Sequence, residues 1–260
     1  MNEEQKQHVI ESIAKNIRFD GRKNDEFRDI VIETNISKNA EGSARVKLGD
    51  CEVIAGVKLM VDKPFPDTPD EGVLMVNTEL LPLSSDRFEP GPPSIEAVEI
   101  SRVVDRGIRE SHAIDVKKLC LIPGEKVWSV GIDICSINAN GNLLDAAGIA
   151  AMVALENALF PEYNEKECKI DYEKKTNKRL PLLKRPIPIT VYKVGGYLLV
   201  DPLPLEEEAS DSRLTITTTA DSELCALQKG GDVPLSIEDI DSMVALALKK
   251  ADAIRKKFNV

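Results

Sequence analysis

The sequence predicts an α+β fold of two strand-then-helix halves, and three stretches carry that prediction. The first is a strand, a turn and a helix between Val127 and Phe160. Residues 127–135 alternate, with Trp128, Val130, Ile132 and Ile134 on one side, which is the period of a sheet strand. Residues 138–142 supply Asn and Gly, both tolerant of the positive φ a tight reversal needs. From Ala146 to Leu155 the chain is then apolar on every side, so it is buried on every side. This run is too short to span a membrane, which takes ~20 residues. The second stretch is a hairpin, residues 43–48 and 51–61 around Gly49-Asp50. The third is another hairpin, 187–194 and 197–201 around Gly195-Gly196, with an amphipathic helix closing the chain. Together they describe mixed or antiparallel sheets packed on helices.

In chain order, residues 2–17 form an amphipathic helix with Val9, Ile10, Ile13, Ala14 and Ile17 as its stripe. Asp20-Gly21-Arg22 is a turn, and 29–37 a strand. In the second arm of the first hairpin, Cys51, Val53, Ala55, Val57, Leu59 and Val61 share one face. Pro64, Pro66 and Pro69 break the pattern, so 62–72 is an exposed loop; 73–81 returns as a strand and 82–93 is a second loop. Ser94 is placed to cap a helix whose inward side is Ala97, Ile100, Val103, Val104, Gly107 and Ile108. Arg102, Arg106 and Arg109 gather on the opposite side. Residues 162–179 are dense in charge with little periodicity and read as a surface linker. It joins halves 1–161 and 180–260 of one domain. An acidic loop, 202–211, precedes a strand at 213–219. Ser236 to Asp239 resembles a capping box opening the last helix, with Ile240, Val244, Ala247, Ala251, Ile254 and Phe258 as its stripe.

The composition narrows the function classes. With 44 acids against 34 bases the formal charge is −10, so the surface as a whole repels polyanions and nucleic-acid binding needs a local basic patch. Five cysteines, scattered and never spaced C-x-x-C, argue against a disulfide framework or zinc site and for a reducing cytosol. Two histidines leave little material for a triad or metal cluster. No cofactor, membrane segment or signal peptide is expected, and a cytoplasmic location follows.

Three features bear on chemistry. The arginine row is either a wet salt-bridge face, neutralised by Glu99, Asp105 and Glu110, or a phosphate-binding row, since guanidinium suits phosphate oxygens. Glu206, Glu207 and Glu208 are consecutive and cannot all face one point, so on their own they read as a solvated loop. The turn Asn140-Gly141-Asn142-Leu143-Leu144 leads into a helix N-terminus, a natural anion site, yet carries no hydroxyl or basic side chain.

The order and spacing of several motifs resemble the RNase PH family over nearly the whole chain. They are Asp20-Gly21-Arg22, the hairpin 44–61 and the stretch from Ile100 through Arg102 and Arg106 to Arg109. Asp133 to Ala147 and Leu199-Val200-Asp201-Pro202-Leu203-Pro204-Leu205-Glu206-Glu207 complete the set. Within the family the chain looks most like the non-catalytic ring subunit of the archaeal exosome. The resemblance implies an RNase PH-like fold and 3′-to-5′ RNA degradation driven by inorganic phosphate in active members. It also implies a catalytic RNase PH-like partner, three such pairs closing a hexameric ring, RNA-binding cap subunits and single-stranded RNA. Active members hold phosphate with a Gly-Thr-Arg or Gly-Ser-Arg turn and use an aspartate in a later Glu-Asp pair. Here the turn reads Gly141-Asn142-Leu143-Leu144 and the pair Glu206-Glu207; Asp211 matches a further aspartate only across a shorter loop. The expectation is a non-catalytic chain with Arg102, Arg106 and Arg109 as RNA contacts. The alternative is an active phosphate-dependent exoribonuclease.

Overall fold

A computed structural model of the chain describes residues 1–164 and 169–258, the side chain of Phe258 excepted. Helix α1 (Glu3–Ala14) opens it, capped by Asn2, whose side chain accepts from the Gln5 amide. A six-stranded sheet follows, built from β1 (Ile30–Thr34), β2 (Gly42–Leu48), β3 (Cys51–Asp62), β4 (Val73–Leu80), β5 (Cys120–Ile122) and β6 (Lys126–Asn138). Its order is β1-β2-β3-β6-β4, with β5 paired to β6; only β4 runs parallel to its neighbour. Two helices serve this sheet, α2 (Ile95–Glu110) and α3 (Leu143–Glu156). A hairpin, β7 (Leu159–Asn164) and β8 (Lys169–Arg179), leads to a four-stranded sheet. That sheet contains β9 (Ile187–Val194), β10 (Tyr197–Val200), β11 (Ser212–Thr218) and β12 (Leu224–Gly230), ordered β10-β9-β11-β12. A short helix, α4 (Pro204–Glu208), sits between β10 and β11, and α5 (Ile237–Phe258) ends the chain.

Helix α3 is the element around which both sheets pack. It lies on β2 and β3 on one side and on β9 and α2 on the other, and every residue from Leu143 to Leu155 is buried. Small residues make this approach possible. A Cβ on Gly148 would come 2.2 Å from Pro188 Cγ, so a glycine is required for α3 to reach β9. The inward faces of the strands behave as their period predicts: Cys51, Val53, Ala55, Val57 and Leu59 are all buried. Ser236 and Asp239 exchange reciprocal bonds at the start of α5, Ser236 N to Asp239 Oδ2 at 2.9 Å and Asp239 N to Ser236 Oγ at 3.1 Å.

Two readings of the sequence need correction. Residues 162–179 do not form an aperiodic linker: Glu162–Asn164 and Lys169–Arg179 are paired antiparallel, while positions 165–168, with Cys168 among them, lie outside the described residues. The stretch is nonetheless on the surface, with Lys174, Lys175 and Lys178 exposed. The hairpin is pinned through side chains, Lys175 Nζ to Ala40 O at 2.6 Å and Lys58 Nζ 4.4 Å above the Tyr172 ring. The second correction is the acidic loop, whose residues 204–208 form helix α4 with Glu206 turned inward.

Candidate functional site

The turn before α3 and the segment after β10 meet in space. A Cβ on Gly141, at φ +75°, would lie 2.3 Å from Pro202 O, so only glycine admits this contact. Arg28 ties the two together. It donates to Asn140 O (2.6 Å) and Gly141 O (3.1 Å), and its Nη2 and Nε reach the Asp201 carboxylate at 2.6 and 2.9 Å. Arg22 adds a bond to Asp201 Oδ2 at 2.8 Å while holding Asp20 at 2.6 Å, so the Asp20-Gly21-Arg22 turn docks onto the same carboxylate. Asp201 is fully buried and sits at φ +49°, a left-handed geometry over-determined by these partners.

Asn142, the N-cap of α3, is left-handed too (φ 56°, ψ 43°) and turns its side chain inward. Its Nδ2 donates to Asp145 Oδ2 at 2.9 Å. Asp145 Oδ1 accepts from the Thr190 amide (2.8 Å) and hydroxyl (2.7 Å). Burial pushes the Asp145 carboxyl up to about 7 against the pull of those donors.

In α4, Glu206 is 1% exposed and pairs with Arg18, whose Nε donates to Oε1 at 2.9 Å and whose Nη2 bonds Oε2. The remaining Arg18 donors are taken by Val200 O at 3.0 Å and Asp201 O at 2.7 Å. Glu206 Oε2 also accepts from Leu203 N at 2.7 Å, the reach-back bond of a helix start with Pro204 at its first position. Glu207 is half-buried and accepts from Tyr192 OH at 2.9 Å; burial drives its carboxyl above the ordinary carboxylate range. Only Glu208 remains at the surface, where it meets the N-terminal ammonium. The solvated-loop reading therefore fails for Glu206 and Glu207. Pro204 marked the helix start, but nothing near Glu206 in sequence announced its partner.

A cleft of about 660 Å³ opens beside this turn, floored by Leu143, Leu144, Ile100 and Ala139. Asp86, Glu96, Glu99, Glu207 and Glu208 line it against two cations, Arg87 and Arg213. Arg213 is spent on Glu99 at 2.6 Å. Asp211 stays outside the lining, held by Lys6 Nζ (2.7 Å) and the Gly195 amide (2.8 Å); burial opposes its charge, and these partners keep its pKa low.

The arginine row lies elsewhere, on the outer side of α2. Ser94 caps this helix through the Ala97 amide at 3.2 Å, and all six inward residues named above are buried. Arg102, Arg106 and Arg109 are exposed. Arg109 pairs with Asp105 at 2.7 Å and donates to Leu74 O at 3.1 Å. Glu99 is taken by Arg213, and Arg102 and Arg106 make no ion pair or hydrogen bond with any described residue. The three acids that might neutralise the row thus satisfy only one of its members.

Comparison with known proteins agrees with this architecture. The RNase PH 3′ exoribonuclease family matches through its domain 1 over residues 26–161 and its domain 2 over residues 184–250. The exosome complex component Rrp42 of Thermococcus kodakarensis is 44% identical over 256 residues, 96% of this chain and 92% of that protein. The one from Pyrococcus horikoshii is 46% identical over 253 residues, 96% and 91% of the two chains. Among solved structures, a chain of the Archaeoglobus fulgidus exosome with RNA bound to the active site superposes with a TM-score of 0.90 at 44% identity. It covers 98% of this chain and 97% of that one. A chain of an archaeal exosome core gives 0.86 at 40% identity, over 98% and 96%. No helix among the described residues is long and apolar enough to cross a membrane.

Proposed function

The chain belongs to the RNase PH family of 3′ exoribonucleases, and from that membership we propose that it is a non-catalytic ring subunit of an archaeal exosome. In this reading it pairs with a catalytic RNase PH-like subunit. Three pairs close a hexameric ring, cap subunits sit on one face, and this chain grips RNA phosphates while its partner cleaves. The curated relatives are named as exosome components, and one solved relative comes from an exosome with RNA at its active site.

The charge of the cleft carries the proposal. Phosphorolysis must hold a phosphate dianion beside an RNA phosphodiester, which needs fixed positive donors. Here five carboxyl groups line the cleft and Arg213 is engaged by one of them. Leucines stand at the turn, and Asn142 bends inward rather than toward the cleft. Arg102 and Arg106, by contrast, are exposed cations that make no ion pair or hydrogen bond among the described residues. They suit the backbone of a passing single strand.

Two measurements test this. The chain alone, given single-stranded RNA and inorganic phosphate, should release no nucleoside diphosphate; robust release would return it to the enzymes. In the assembled ring, Arg102→Glu with Arg106→Glu should lower RNA affinity and flatten its salt dependence, by roughly 0.7 log units of slope per lost phosphate contact. Unchanged affinity and slope would make the row a wet surface and nothing more.

A further inference from the structure

The outer face of α2 is not uniformly cationic. At about 100° per residue, Ile95, Val98, Arg102, Arg106 and Arg109 fall within an arc of about 80°, centred opposite the buried side. Ile95 is 91% exposed and Val98 44% exposed, so this stripe begins aliphatic and becomes basic over about 21 Å of helix. Glu96 and Glu99 lie beside the aliphatic end and line the acidic cleft, while Asp105 and Glu110 lie beside the basic end, where Asp105 is bonded to Arg109; Arg102 and Arg106, from the middle of the helix onward, make no ion pair among the described residues.

We infer that Ile95 and Val98 form a base-contacting subsite for single-stranded RNA whose phosphates lie on Arg102 and Arg106. The inference rests on the RNA-contact reading above and adds a polarity to it. Although Arg213 holds Glu99, five carboxyl groups of the adjoining cleft outnumber its two arginines, so a phosphate is repelled from this end and the part of a nucleotide that settles there is its uncharged base. A single strand presents unstacked bases whose faces lose water favourably against apolar side chains. Ile95 packs into no core, so in this chain its side chain is available for such a contact. Aliphatic contact makes no hydrogen-bond readout, so the subsite binds any base and rejects a strand lacking one.

The test uses the assembled ring, with fluorescence anisotropy of labelled oligo(A) and of an abasic ribose-phosphate oligomer of equal length over a salt series. Wild-type rings should bind oligo(A) more tightly. Ile95→Ser with Val98→Ser should weaken oligo(A) binding by about three- to tenfold, leave abasic binding unchanged and keep the salt slope. Ile95→Phe should strengthen oligo(A) alone, since a larger face stacks better. Equal loss on both oligomers, or no loss, overturns the subsite. Rings that fall apart by size when Ile95 and Val98 become serine also overturn it, because the face would then belong to a protein partner. The Arg102→Glu/Arg106→Glu ring runs alongside: if it too is unchanged, the RNA-contact reading itself has failed.

Discussion

The turn before α3 and the outer face of α2 treat charge in opposite ways. Around the turn, charges are buried and saturated: Asp201 is met by Arg22 and Arg28, Glu206 by Arg18, and Asp145 by Thr190 and Asn142. On α2, two arginines stand in solvent with no partner among the described residues. Buried ion pairs hold segments in place but do little for a ligand, because their valences are filled. Exposed unpaired arginines add nothing to the fold and are available to an anion. The contrast separates a region whose charges serve the fold from one whose charges are left in solvent.

The architectural side breaks most readily at Arg18. Arg18→Met leaves Glu206 as an uncompensated buried carboxylate and takes a donor from the carbonyls of Val200 and Asp201, the second of which keeps Arg22. A loss of about 3–5 kcal/mol is expected in equilibrium urea unfolding, with partial recovery when Glu206→Gln is added. A loss below 1 kcal/mol would mean that the 201–208 segment does not depend on its buried charges.

Asp145 supplies a pH signature for the same region. Its carboxyl is raised from 3.8 to about 7 in the folded chain, so the folded state binds its proton more tightly than the unfolded state does. Stability from this group therefore falls as pH rises from about 4 to about 7, by up to roughly 4 kcal/mol. Asp20, Asp25 and Asp211 are shifted the other way, so the readout is the difference between wild type and Asp145→Asn. The variant should be the more stable of the two at pH 8 and the two should converge near pH 4. Turning over the Asn142 amide, whose Oδ1 has no partner among the described residues, would present an acceptor to the new amide. Parallel pH curves would show that Asp145 is not protonated in the fold.

What could be read from the sequence follows the same division. What local pattern sets was legible: the all-round burial of α3, the alternation in β3 and the arginines opposite Val103 and Val104 all lie where the residues put them. Buried charges were not. Glu206 finds its partner 188 positions away, and three consecutive glutamates give no local hint that one points inward. The hairpin of β7 and β8 escaped for a related reason. Most of its residues face water on both sides, so no apolar alternation marks it, and its anchors, Lys58 and Ala40, come from a distant part of the chain. The cleft's character was partly visible, since Glu207 and the leucines stood in the motifs. The contributions of Glu96, Glu99 and Asp86 appear only once α2 and the loop before it are packed beside the turn.

The smallest expected effect sharpens the comparison within α2 itself. Arg109 sits in the row yet is half in the architectural class, since Asp105 holds it at 2.7 Å and Leu74 O takes another donor. Its side chain is 51% exposed, so the pair is a wet i,i+4 contact worth about 0.3–0.5 kcal/mol. Arg109→Ala should therefore weaken RNA binding by the assembled ring less than either Arg102→Ala or Arg106→Ala. Asp105→Asn should do the reverse, raising RNA affinity about twofold by releasing Arg109 and removing a carboxylate beside the strand. The gain should shrink as salt rises, because screening weakens both the repulsion and the new attraction. If Arg109→Ala proves as costly as the other two, its pairing with Asp105 does not survive RNA binding, and all three arginines form one equivalent row.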